Sequence, residues 1–287
     1  MDKLFTPLKI GSLELKNRFT MAPMENGLAE IGTGEVTDKL INYFTERAKN
    51  DVSMIFTGSI GVSPEGRGLP TQLSLYDEKQ VAGHKKLVNA IHENGCLITA
   101  QIYHAGRQAS EAITGLDPLA PSAIPCSILG NHPKEITISQ MEEVKEKFVK
   151  SAKWAEDAGY DMVEVHFAHG YLLHSFMSPH SNKRTDEYNG SFENRLKYPM
   201  EVLNAVIDSV NIPVNIRISV DEYLEDGFKF DEVIKVCKLV EANGCAAISL
   251  TAGCYDAVDY AIQPTKEENV QKKWILASWD IIRMKPE

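Results

Sequence analysis

The chain has 287 residues, 43% hydrophobic and 24% charged, with a formal net charge of −10. That length suits one large domain around a sizeable core, and an acidic balance without a basic cluster argues against a nucleic-acid backbone or an anionic membrane as partner. The five cysteines (Cys96, Cys126, Cys237, Cys245 and Cys254) include no C-x-x-C pair. Their odd number and the chain length point to reduced thiols in a cytoplasmic enzyme rather than a disulfide framework. The start, Met1 to Phe5, lacks the apolar core of a signal peptide, and no apolar run approaches the roughly 20 residues of a membrane span.

In chain order, a first strand is expected near 17–23, followed by buried strands at 51–57, 96–103, 160–166, 212–218 and 245–251, each short, apolar and rich in β-branched residues. Amphipathic helices lie between them. Ser139-x-x-Glu142 has the form of a capping box, after which Val144, Phe148, Ala152 and Ala155 fall on one helical face. Gly159 stands where a C-terminal cap is expected, and Asn94-Gly95 and Asn243-Gly244 repeat that punctuation before the next strands. The proline-bearing stretch 108–138 is long enough to be a lid or a small excursion.

Helix, glycine, buried strand, three times over, marks a parallel sheet of βα units. A doubly wound sheet shares that pattern, but no G-x-G-x-x-G follows a strand. Gln101 and His104, His166 and His169, Arg217 and Thr251 all fall at or just past the C-terminal ends of successive strands. In a (β/α)₈ TIM barrel those ends converge on the catalytic mouth. The α/β barrel is therefore the expected fold.

The spacing His166-x-x-His169-x-Tyr171 carries the chemistry. Two imidazoles at a strand end can donate hydrogen bonds to one carbonyl oxygen and stabilise enolate-like charge there. A nearby tyrosine, with an ordinary pKa of about 10, is protonated at neutral pH and can supply a proton. The same spacing can hold a metal. A zinc site would want a third ligand, and although Glu164 is adjacent, the HExxH order is absent. A metal-dependent barrel hydrolase or an aldolase is the alternative this leaves.

The whole segment 164–195, EVHFAHGYLLHSFMSPHSNKRTDEYNGSFENR, resembles the signature stretch of old yellow enzyme-like flavin oxidoreductases, with Asn189 where glycine is more usual. The resemblance extends over about 1–264 and implies an FMN-binding barrel that uses NADH or NADPH to reduce the activated C=C bond of an α,β-unsaturated carbonyl compound. It implies that His166 and His169 bind the substrate carbonyl and that Tyr171 donates the proton. Ala22, Pro23 and Met24, in the opening LFTPLKIGSLELKNRFTMAPM, match a segment that lies against the flavin, and Thr57, Gly58 and Ser59 resemble a second contact. Gln101, in QIYHAGR, is similar to the glutamine that binds the pyrimidine edge. Arg217, in PVNIRIS, resembles the arginine that places positive charge near flavin N1 and O2. Glu25 stands where one branch of the family carries a cysteine.

His104 and Arg107 are expected to shape their loop. His84, His92, His132, His174 and His180 are expected at the surface or in packing, and Trp154 as helix filler. Six strands can be counted where a closed barrel has eight, and 265–287 resembles none of the family's phosphate-binding continuation. The resulting expectation is an incomplete barrel of about six βα units (1–264) with an atypical tail (265–287). Such a chain is either an ene-reductase or an inactive or partner-dependent remnant of one, associating with a second copy or a complementing C-terminal fragment. The iron–sulfur site of longer relatives is not expected, since its cysteine cluster is absent.

Overall fold

The computed structural model describes residues 2–257, so the tail 265–287 and the boundary at 264 lie outside the described residues. The chain begins with a hairpin, β1 (Leu8–Ile10) and β2 (Leu13–Leu15), and continues through β3 (Thr20–Met21), α1 (Asp38–Ala48), β4 (Met54–Phe56), β5 (Ile60–Gly61), α2 (Val81–His92) and β6 (Leu97–Tyr103). An excursion carrying α3 (Glu111–Thr114), β7 (Leu119–Ala120) and β8 (Lys134–Glu135) follows. After it come α4 (Ile138–Ala158), β9 (Met162–Phe167), α5 (Leu172–Met177), α6 (Phe192–Ser209), β10 (Val214–Ser219), α7 (Phe230–Ala242) and β11 (Ala247–Thr251).

The parallel path β3-β4-β6-β9-β10-β11 follows chain order, with β5 pairing on β6. Sequential parallel neighbours joined by helices are the βα progression of a TIM-type barrel, and the described residues supply six of its strand positions. The first strand is shorter than the expected 17–23: only Thr20 and Met21 pair, against Met54 and Ile55. β9 is buried throughout, whereas β11 is half-buried along its whole length, with β10 as its neighbour among the described residues.

Apolar burial explains the layering. Val144, Phe148, Ala152 and Ala155 of α4 are all buried, as their helical spacing predicts, in one continuous core with Ile98, Ile102, Val163, Val165, Ile216 and Ile218 of the strands. The hairpin lays Leu8, Ile10, Leu13 and Leu15 against Met54, Leu97 and Met162. The last three open their strands, so the hairpin covers the end of the sheet away from the polar residues.

The start of α4 departs from the sequence reading. Thr137, in extended backbone, is the N-cap, and Gln140 completes the box. Ser139 already lies inside the helix with its hydroxyl 3.5 Å from Glu143 Oε1. Gly159 does cap the far end, at φ 92°. The stretch 108–138 is an excursion tied to the signature loop: Arg184 donates to the carbonyl of Ile136 at 2.7 Å, and the Lys183 N–H to Ser122 Oγ at 2.8 Å. Among the described residues no helix is long and apolar enough to cross a membrane.

Candidate functional site

Side chains alternate faces along a strand, so residues two apart share a face. On β9, Glu164 and His166 share one, and on β10 Asn215 and Arg217 share another. The register pairs Glu164 with Asn215 and His166 with Arg217, Gln101 of β6 with Glu164, and Arg217 with Ser249 of β11. The sheet thus stacks two polar tiers. Gln101, Glu164 and Asn215 form one, and His166 and Arg217 the other, nearer the strand ends. Asn215 and Glu164 were assigned no site role from sequence, although their two-residue offset from Arg217 and His166 was the available signal.

His166 is 3% exposed. Its Nδ1 accepts from the Ala168 N–H at 3.1 Å, which places the ring proton on Nε2. Burial drives its pKa well below the ordinary value, with His169 and Arg217 adding to the effect. His169 adopts φ 61°, an uncommon region for a side-chain-bearing residue. Ser219 Oγ holds its N–H at 3.0 Å, and Gln108 Nε2 donates to its carbonyl at 2.8 Å. Its Nε2 lies 2.8 Å from Thr251 Oγ1. When that hydroxyl donates, the proton resides on Nδ1, as an N–H that has no partner among the described residues. Burial lowers the His169 pKa to about 3. Both imidazoles are therefore neutral at physiological pH, and in those tautomers each presents an N–H donor.

Tyr171 precedes α5 as its N-cap. Its ring meets His166 edge-on at 4.9 Å and Tyr103 at 4.9 Å, and lies 6.2 Å from His169. The His166 and His169 rings are 5.1 Å apart. Tyr171 Oη is 3.4 Å from the Tyr255 hydroxyl. Burial raises its pKa well above 10, with Tyr255 and Tyr103 contributing, so it stays protonated. Tyr103 and Tyr255 were not singled out by sequence. Tyr255 is held in place by its neighbour Asp256, which pairs with buried Arg107 and accepts from the Ser127 N–H at 2.8 Å.

Several of the residues expected to contact the cofactor lie against one another. A Cβ on Gly58 would sit 2.4 Å from the Met24 carbonyl oxygen, so the 22–24 segment and the 57–59 turn touch backbone to backbone and only glycine fits. Ser59 Oγ donates to Gln101 Oε1 at 3.4 Å, and the Gln101 N–H to Thr57 Oγ1 at 3.2 Å. Met24 is 46% exposed at this edge, a large apolar side chain with room for a covering group. Arg217 makes no hydrogen bond or ion pair among the described residues, and buried Glu164 is its charge partner. Glu25 accepts from Gln72 Nε2 at 2.7 Å, and Gln72 accepts in turn from Tyr103.

The remaining histidines divide. His84 is buried, with ring nitrogens 2.8 Å from Tyr160 Oη and 3.0 Å from the Ser74 carbonyl. His174 is buried beside Glu222, and His104 is buried with Nδ1 accepting from the Gly106 N–H. His92 and His180 pair with Asp161 and Asp226 nearer the surface, His132 is exposed, and Trp154 packs half-buried against the core. Among the described residues no group of three or more His, Cys, Asp or Glu side chains is arranged to hold a metal ion.

Residues 3–275 match the profile described as the NADH:flavin oxidoreductase / NADH oxidase family. The NADH oxidase of Thermoanaerobacter brockii is 40% identical over 269 residues, covering 92% of this chain and 41% of that protein. The structure of a 2-naphthoyl-CoA reductase in complex with 2-naphthoyl-CoA superposes with a TM-score of 0.89 at 28% identity, over 96% of this chain and 45% of that one. The old yellow enzyme of Pichia sp. gives 0.79 at 32% identity, over 87% and 71%. The chain spans about two fifths of the length of the curated relatives it matches.

Proposed function

Because this chain belongs to the NADH:flavin oxidoreductase / NADH oxidase family, we propose that it is an FMN-dependent oxidoreductase that uses NADH or NADPH to reduce the activated C=C bond of an α,β-unsaturated carbonyl compound. The observation that carries the reading is the ring cluster at the end of β9, where two neutral imidazoles and one protonated phenol converge within 4.9–6.2 Å between centroids.

The residues present fit the cofactor. Gln101 offers an amide to a flat heterocyclic imide, and Arg217 offers a guanidinium whose hydrogen bonds are not used among the described residues. The tight contact of Gly58 with Met24 and the Ser59 hydroxyl beside Gln101 form one side of the site, to which the family resemblance adds Ala22 and Pro23. When bound, FMN supplies the two-electron chemistry linking nicotinamide to alkene.

The chain's own side chains then handle the carbonyl and the proton. The His166 Nε2–H and the His169 Nδ1–H donate to the substrate carbonyl oxygen and stabilise the negative charge that builds there. Neutral imidazoles do this without surrendering a proton, and their depressed pKa values keep them neutral. Tyr171 gives its Oη proton to the α-carbon. Its elevated pKa means that it releases the proton only to a strongly basic, carbanion-like centre. Arg217 favours the negative charge of a reduced flavin.

The test is the visible spectrum of the purified chain, followed by anaerobic titration with reduced nicotinamide and then cyclohexenone. A near-equimolar flavin band, bleached by nicotinamide and restored by the enone, is the expected result. A colourless chain that free FMN does not reconstitute would sink the proposal.

A further inference from the structure

Glu164 has no part in the mechanism above, yet it is the most heavily ligated carboxylate in the sheet. It is 0% exposed at the middle of β9. Its Oε1 accepts from Gln101 Nε2 at 2.7 Å, and its Oε2 accepts from Asn215 Nδ2 at 2.6 Å and from Ser249 Oγ. Burial pushes its pKa up, and Arg217 together with the three donors Ser249, Gln101 and Asn215 opposes that rise and favours the ionised form. A buried carboxylate is expensive even when paired, and an apolar side chain of similar volume would commonly serve packing as well or better. Stability alone therefore does not account for it.

Its hydrogen bonds do impose a direction. A side-chain amide has a donor end and an acceptor end, and an ionised carboxylate only accepts. Gln101 must therefore turn its nitrogen to Glu164 and its oxygen the other way, where it lies 3.4 Å from Ser59 Oγ on the Gly58–Ser59 side. Asn215 shows how strong the demand is: its nitrogen goes to Glu164 while its own Oδ1 is buried with no partner among the described residues.

The imide edge of a flavin presents one N–H between two carbonyls. An amide offering its oxygen to that N–H, and its second N–H to a neighbouring carbonyl, complements it. The flipped amide sets N–H against N–H. We infer that Glu164 is a positioning residue that locks the Gln101 amide with its oxygen toward the flavin N3–H, and so makes recognition of the imide directional. The inference rests on the FMN reading above.

Glu164→Gln keeps the shape but adds a competing NH₂, so one of the facing amides must turn. Fluorescence titration of the apo chain with FMN and with N3-methyl-FMN, which lacks the imide proton, separates positioning from mere support. The wild-type chain is expected to prefer FMN about tenfold or more, the size of one hydrogen bond lost with its acceptor stranded. In E164Q that preference should collapse toward one, and FMN itself should bind about tenfold more weakly. Glu164→Asp, which withdraws the carboxylate by one methylene, should lose the preference too and serves if E164Q does not fold. Ser249→Ala, which removes a different donor to the same carboxylate, should retain it. Equal weakening of both flavins in E164Q, or a wild-type chain indifferent to the N3 methyl group, overturns the inference. A wild-type chain that binds neither flavin overturns the FMN reading itself.

Discussion

Tyr171 and His166 meet ring to ring at 4.9 Å, and their separate roles give separable kinetics. Tyr171→Phe should leave reduction of the flavin by nicotinamide unchanged. Its reoxidation by an enone should slow by about 10²–10⁴, the usual worth of a positioned general acid. Stopped-flow measurement of the two half-reactions distinguishes them, and an equal loss in both would remove Tyr171 from the proton-donor role. His166→Ala should weaken the enone half-reaction by about 10²–10³, as expected for one lost donor to developing oxyanion charge, again with the nicotinamide half-reaction spared. At this scale the sequence was most informative where function is local: His166, His169 and Tyr171 fall within six residues and carry their own spacing. Thr251, 82 positions from His169, is marked only by its place at a strand end, and Tyr255, 84 from Tyr171, has no local mark.

At the scale of elements, α4 shows how a pattern can be chemically right and positionally wrong. Thr137 and Ser139 both precede an acid or amide by three residues, and both could in principle accept from the helix N-terminus. The chain chooses Thr137, whose hydroxyl accepts from the Gln140 N–H at 3.2 Å. Thr137→Ala should therefore cost about 1 kcal/mol, and Ser139→Ala should be close to neutral, read as shifts in the urea midpoint. A larger loss at Ser139 would restore the other box. Gly159 was legible because a glycine after an apolar stripe has one common use at a helix end. The short length of β3 was not, because Thr20 is exposed and Met21 only half-buried, so neither apolar content nor burial marks which residues of this segment find a partner strand.

Across the whole molecule, buried histidines make the fold acid-sensitive. Burial lowers the pKa of His84 and of His104 to about 4 and that of His174 to about 3, against about 6.5 in the unfolded chain. Between those limits the unfolded state binds more protons, so stability is fully present above about pH 6.5 and is lost as pH falls toward the folded values. Each histidine contributes roughly 1.4 kcal/mol per pH unit through that window. His92, whose pKa is raised by its hydrogen bond with Asp161, works in the opposite sense but is partly exposed and screened. Glu25, pushed up to about 6 by burial, and Glu164 and Glu222, also raised by burial, offset part of the loss. The five buried histidines outweigh them. Urea unfolding at pH 7, 6 and 5 should show a steadily falling midpoint, and a midpoint constant from pH 7 to 5 would refute the buried-neutral assignment.

By itself the sequence determined the order of strands and helices, the parallel character of the sheet and the His166-x-x-His169-x-Tyr171 cluster. Each of these is written in short-range periodicity or in residues a few positions apart, which local backbone geometry alone brings together. Only the tertiary structure decided what surrounds that cluster. The strand register sets Gln101 beside Glu164 across 63 residues and Ser249 beside the same carboxylate across 85, and the turns that follow β6 and β11 bring Arg107 against Asp256 across 149. Contacts of that span depend on which strands become neighbours and in what register, and those follow from burying the whole sheet against its helices rather than from any segment alone.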